Sequence, residues 1–275
     1  FAVSATALAV HEAAFAAKIV GELIKPNGEK LYKAAKKIPV VGGALLDELF
    51  SKIKDDVRLR VEYAIRQGIT DGWTNQQIVQ RIKGKKALNY QDGILQQSRS
   101  DIERVVRTSR SHVANTAYMD TYKAIGFTHV KFVATLDGRV SKTCASLDQS
   151  MWEIESPKIR RPPLHPHCRS VLVGVDADGN LAGKRPFVMD ERKVKDISKD
   201  QRDGIIGQLD ANTSFKQFFD KADDFFQKEW LGEKRYKLFK EGNYSIDKFV
   251  DPLGRQYTLK ELEMLDKQTF KELGL

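Results

Sequence analysis

Cysteine is nearly missing from this chain: Cys144 and Cys168 are its two among 275 residues. Two cysteines cannot build the cross-link framework of a small disulfide-stapled domain, and 275 residues bury enough surface to manage without one. Proline and glycine are scarce too, at 8 and 19, which excludes collagen-like and low-complexity chains. No hydrophobic run reaches the ~20 residues a bilayer demands. The most apolar stretch, Phe1 to Val20, is broken by His11, Glu12 and Lys18. No internal repeat, P-loop, HExxH helix or nucleophile elbow is present.

What is abundant is positive charge. Lys and Arg number 46 against 37 Asp and Glu, and the net charge is +9. The excess is uneven: before residue 181 there are 27 basic and 19 acidic side chains, after it 19 and 18. A basic surface permits contact with nucleic acid without demanding it. Residues 81–110 contribute Arg81, Lys83, Lys85, Lys86, Arg99, Arg104, Arg107 and Arg110. A second group, Lys158, Arg160, Arg161 and Arg169, is more compact. Lys83, Lys85, Lys86, Arg160 and Arg161 are the candidates for phosphate contact with double-stranded DNA, without sequence preference; the alternative is a solvated helix surface.

Periodicity divides the chain into three. Residues 1–66 read as helical: an Ala-rich helix over Ala5–Leu23 broken at Pro26-Asn27-Gly28, a short segment to Lys37, and a turn at Pro39 and Gly42-Gly43. An amphipathic helix then carries Leu45, Leu46, Leu49, Phe50, Ile53, Val57, Val61 and Ile65, with Gly68 expected to stop it. Residues 67–180 form a central domain. Thr74 caps a short helix, a second runs from about Ser100 to Ile125, and Gly126 ends it. His112, Val113, Thr116 and Ala117 are expected on its inner face. Phe127–Leu136 and Ser170–Val175 alternate as strands and are expected to pair. Residues 181–275 read as a helical, aromatic-rich tail whose Phe215, Phe218, Phe219, Phe226 and Trp230 recur at helical spacing and point to core. The fold class is α+β: a mostly helical start, a small antiparallel sheet around an irregular loop, and a helical end.

That loop, 137–169, carries the chemistry. It holds both cysteines, and the string Pro162-Pro163-Leu164-His165-Pro166-His167-Cys168-Arg169 sets two histidines beside Cys168. Thiolate and imidazole are the donors tetrahedral zinc prefers. Cys144, His165 and Cys168 would supply three ligands, with Asp148 or His167 as the fourth. Two other readings stay open: buried thiols in a hydrogen-bonded loop, and a Cys144–Cys168 disulfide in an oxidised particle. A cysteine nucleophile activated by histidine is a further option, with no accompanying catalytic motif.

The same residues carry a resemblance. The run from Thr135 to Asp148, followed by Pro163-Leu164-His165-Pro166-His167-Cys168-Arg169-Ser170, resembles the signature of the phage Mu protein F-like family. Arg107-Thr108 matches the family's Arg-Thr on the preceding helix, and Asp137 and Arg139 its Asp-x-Arg turn. Gln149 stands where the family usually has Gly, and Ser141 where many members have a further Cys. The tail (Trp230-Leu231, Gly232 to Tyr236, Phe239 to Gly242) is similar as well. The resemblance implies structural roles for Arg107, Thr108, Asp137 and Arg139, with Arg107 turned inward toward Asp137 or Asp148. It implies a non-enzymatic minor head protein of a tailed phage, inside the capsid at the portal vertex. Its partners would be portal protein, other capsid or ejection proteins, packaged DNA and further copies of itself. The contrasting expectation is a virion-carried metal- or thiol-dependent enzyme, a nuclease or hydrolase.

Overall fold

A computed structural model describes residues 2–19, 27–40, 43–71, 73–190, 192, 194–252 and 254–275. Leu23, Pro26 and Gly42, and the side chains of Ile53 and Arg99, lie outside the described residues. The chain divides into two compact units, Phe1–Ile125 with Pro162–Cys168, and Gly126–Arg161 with Arg169–Leu275.

The first unit is helical. It contains α1 (Ala2–Ile19), α2 (Gly28–Lys37), α3 (Leu46–Thr70), α4 (Asn75–Lys83) and α5 (Ile94–Ala124). Small residues on α1 let helices approach closely, and Ala9, Ala13, Leu31, Ala35, Val40, Leu46, Val113 and Ala117 form one buried cluster. Local chemistry explains the starts. Asn27 accepts the Lys30 N–H at the head of α2. Thr74 caps α4, as the sequence led us to expect, and with Gln77 it forms a reciprocal capping box. On α5 the expected inner face is buried: His112, Val113, Thr116 and Ala117 are all below one-tenth exposed.

Gly68 does not stop α3, which continues to Thr70. Its missing side chain serves proximity instead, since a Cβ there would stand 2.5 Å from the Ile78 side chain. The apolar stripe of α3 is also less covered than its spacing suggests. Leu46 is fully buried, whereas Leu45 and Ile65 are exposed.

The second unit holds two three-stranded sheets. In the first, β1 (His129–Val133) lies between β3 (Met151–Glu153) and β4 (Val171–Val175), antiparallel to both. Lys131 faces Val173, and Phe132 faces Leu172. The alternation in the sequence sets this sidedness: Val130, Phe132 and Ala134 are buried, and the intervening residues are half-covered. The second sheet is β2 (Leu136–Asp137), β5 (Lys184–Val188) and β6 (Ile206–Asp210), with β5 central. Here β2 runs parallel to β5. The helical tail therefore begins only after a hairpin that periodicity did not disclose.

That tail supplies the second core. The helices α7 (Phe215–Asp220), α8 (Asp224–Leu231) and α9 (Glu233–Lys240), followed by α10 (Leu259–Leu265) and α11 (Lys267–Leu273), pack their aromatic stripe inward. Phe215, Phe218, Phe219, Phe226 and Trp230 are each at most 3% exposed, which confirms the core reading. Ring centroids of Phe215 and Phe219 stand 4.9 Å from that of Trp230, close enough for aromatic contact to add to burial. The Trp230 indole donates to the Val140 carbonyl at 3.0 Å and so ties the tail to the loop.

Candidate functional site

The irregular loop is fastened at both ends by one ion pair. Asp137 accepts the Arg139 N–H at 2.9 Å, an Asx turn that forces the reversal after β2. Both of its oxygens also take the Arg169 guanidinium in a fork. A planar five-donor head matches a carboxylate in this way and a lysine would not. Arg139 itself approaches Asp137 more distantly, at 3.9 Å. The Asp-x-Arg turn and the Cys-Arg element of the signature are thus two halves of one clamp.

Asp148 holds the middle. Its carboxylate is 1% exposed and meets the Arg185 guanidinium of β5 at 3.0 and 3.1 Å. It also accepts backbone N–H groups from Ala134 at 2.7 Å and Phe215 at 2.6 Å. With four donors already on its two oxygens, Asp148 is no metal ligand, and the expectation that it completes a coordination sphere is corrected here. Nor does Arg107 turn inward. It is exposed on α5 and pairs with Glu103 one turn earlier. The cations that meet Asp137 and Asp148 are Arg169 and Arg185. Thr108, beside it, is buried and donates to the Arg104 carbonyl at 2.8 Å.

Cys144 is buried in the second unit; in the first, Cys168 is buried and His165 half-buried. Cys144 rides on α6 (Lys142–Leu147), whose N-cap is Ser141: its hydroxyl oxygen accepts the Cys144 N–H at 3.1 Å. So the residue standing where many relatives carry cysteine is a cap. A turn closed by the Cys168 N–H on the His165 carbonyl at 3.1 Å sets His165 and Cys168 on one loop. Pro162–Pro163 is cis. No disulfide joins the cysteines. His165 Nδ1 lies 2.8 Å from the Pro166 carbonyl. A carbonyl only accepts, so Nδ1 is a protonated nitrogen in this contact. His167 is exposed and adopts φ +60°.

The basic candidates separate. Lys83, Lys85 and Lys86 are exposed around the turn after α4, and no ion pair of theirs is seen among the described residues. Lys83 Nζ stands 5.1 Å from the Tyr90 ring centroid. The loop is tightly wound, because a Cβ on Gly93 would lie 2.4 Å from the Gly84 nitrogen. By contrast Arg104 is paired with Asp101 at 2.8 Å. Arg161 is exposed, Arg160 is half-buried against Gly254, and Arg169 belongs to the clamp. Sequence reasoning also missed a cleft of about 610 Å³ in the second unit, lined by Arg160, Tyr244, Asp247, Lys248 and Tyr257. There the Tyr244 hydroxyl donates to Asp266 at 3.1 Å, and burial first, then that carboxylate, push its pKa up to about 12.

Fold and site together define an α+β protein whose proline-rich loop is held by aspartate–arginine pairs. Residues 59–173, from within α3 to within β4, match the family described as phage Mu protein F like protein. The match covers 115 of the 275 residues, and over that stretch the chain is similar to this family. The match stops before the tail, so the likeness read there lies outside it. Comparison with curated proteins and with solved structures gave no match.

Proposed function

We propose that this chain is a minor structural component of a tailed-phage virion, placed at the portal vertex and touching the packaged genome. The observation that carries the reading is the family match over 59–173, which contains both the clamped loop and the lysine turn. The support for a structural rather than enzymatic role is the use of the signature charges. Asp137, Asp148, Arg169 and Arg185 are engaged with one another and with backbone, so they hold shape and are not offered to a substrate. The support for genome contact is the exposed lysine turn.

Two measurements test this. Localisation in intact particles by cryo-electron microscopy or antibody labelling should put the chain at one vertex; uniform distribution over the capsid would overturn the placement. Duplex binding should be sequence-independent and weaken with salt. Lys83→Ala, Lys85→Ala and Lys86→Ala together should reduce the log–log salt slope by about 2.7, from roughly 0.9 per phosphate contact. An unchanged slope would remove this turn from the interface. Degradation of the DNA when magnesium or manganese is added would favour the nuclease reading.

A further inference from the structure

We propose that a cleft at the lysine turn takes one unstacked nucleotide, so that the chain favours DNA with a single-stranded end over blunt duplex. The inference rests on the reading of that turn as a DNA contact and names the form of DNA it fits. The cleft lies wholly within the first unit, and Trp73, Gln77, Gln80, Arg81, Lys85 and Asp92 line it. Its volume is about 360 Å³. That falls at the lower end of the roughly 300–1,000 Å³ of small-ligand clefts.

Each part of a nucleotide meets a matching group there. The Trp73 indole is half-buried, and the Trp73 backbone N–H donates to the Gly68 carbonyl at 2.8 Å. A Cβ on Gly68 would stand 3.2 Å from that indole, so the bare glycine lets the ring settle on the end of α3. A ring held in this way is a stacking platform, and every base has a π-face to offer it. A base inside a duplex has both faces covered and stays out. Gln77 is held as well. Its side-chain oxygen accepts the Thr74 N–H at 2.7 Å, which leaves its amide N–H groups to donate to a base edge. Arg81 and Lys85 are exposed cations for the phosphate. Asp92 accepts the Lys85 N–H at 2.8 Å, and the lining keeps a net positive charge. The turn is built rather than slack: Asn89 and Tyr90 both hold left-handed backbone, at φ +48° and +60°. Strained backbone of this kind concentrates where ligands are gripped.

The test titrates the full chain with a blunt duplex, the same duplex carrying a single-stranded overhang, and deoxyadenosine monophosphate. The overhang should bind more tightly than the blunt duplex and quench tryptophan emission. Trp152 and Trp230 also emit, so Trp73→Phe identifies the quenched ring: it should keep the preference and lose the quench. Trp73→Ala should weaken the overhang by about 5- to 150-fold, the span of stacking on one aromatic, and leave the blunt duplex unchanged. Should that variant misfold, Arg81→Ala on the exposed face of α4 should weaken the overhang more than the blunt duplex. Equal affinity for the two duplexes, or an overhang preference that survives Trp73→Ala, would overturn the cleft and leave the lysine-turn reading standing. Deoxyadenosine monophosphate displacing the overhang at matching concentration would overturn the assignment to DNA in favour of a free nucleotide. No binding of either duplex at low salt would overturn both readings.

Discussion

Asp148 and Arg185 give the most quantitative handle on this fold. Asp148→Ala would leave a guanidinium that is 7% exposed without its carboxylate, and would orphan the N–H groups of Ala134 and Phe215. Arg185 would keep the Thr213 carbonyl at 3.0 Å and the Ala134 carbonyl, two acceptors without charge. Removing one partner of a buried pair costs about 3–5 kcal/mol, mostly the penalty of stranding the other charge. Each unsatisfied N–H adds about 1–3 kcal/mol where water cannot reach it, though the terms overlap and do not sum. A loss near 4 kcal/mol is a large share of the roughly 5–15 kcal/mol by which a domain is stable. Denaturant titration followed by tryptophan fluorescence, to which Trp230 of the adjoining core contributes beside Trp73 and Trp152, reads this. The double variant Asp148→Ala/Arg185→Met removes the stranded cation and should recover more than about 1 kcal/mol relative to the sum of the single variants. A single-variant loss below about 1 kcal/mol, or strict additivity, would refute the claim that this pair fastens the loop to β5 and α7.

Two further outcomes follow from particular atoms. Gln149 holds φ +67° where the family usually has Gly; Gln149→Gly should stabilise by about 1 kcal/mol, offset by loss of its 3.3 Å side-chain bond to Ala211, and a destabilised variant would show that this bond outweighs the backbone strain. His112 is buried with Nε2 2.8 Å from the Ala35 carbonyl, and burial above all lowers its pKa from the usual 6.5. The unfolded chain then binds a proton that the folded chain refuses, so this contribution is complete above pH 6.5 and is lost as pH falls below it. His112→Gln should flatten the stability profile of α2 and α5, measured by hydrogen exchange, between pH 6.5 and 5; an unaltered profile would exclude His112 as the cause.

The sequence disclosed the elements whose signal is local and hid those whose reason is distant. The strands β1 and β4 were legible because alternating residues reveal a half-buried strand without knowledge of its partner. Thr74 was legible because a cap and its box lie within four residues. Arg185 was not: its aspartate lies 37 residues earlier, and Arg107, matching the family's Arg-Thr, looked the better partner. The strand around Arg185 was hidden too, since Pro186 argues against a central strand. It is tolerated because β2 is two residues long and meets only Phe187 and Val188, leaving Pro186 opposite no partner on that side. Gly207 likewise reads as a breaker but makes room for the Phe187 ring, 2.7 Å from where its Cβ would be.

These placements separate two jobs that a basic, signature-bearing sequence runs together. The charges inside the signature, Asp137, Asp148 and Arg169, are spent on each other, on Arg185 and on backbone, and fix the path of the loop. The charges of the lysine turn, Lys83, Lys85 and Lys86, face solvent and make no ion pair among the described residues. If genome contact belongs to the second set alone, the two sets should fail in different assays. Asp148 variants should lower the denaturation midpoint and leave the salt slope of DNA binding unchanged in whatever fraction stays folded. Lysine variants should lower the slope and leave the midpoint within about 0.5 kcal/mol of the parent, as exposed substitutions do. A lysine variant that unfolds the protein, or an Asp148 variant that binds DNA with a smaller slope while folded, would show that shape and recognition share residues after all.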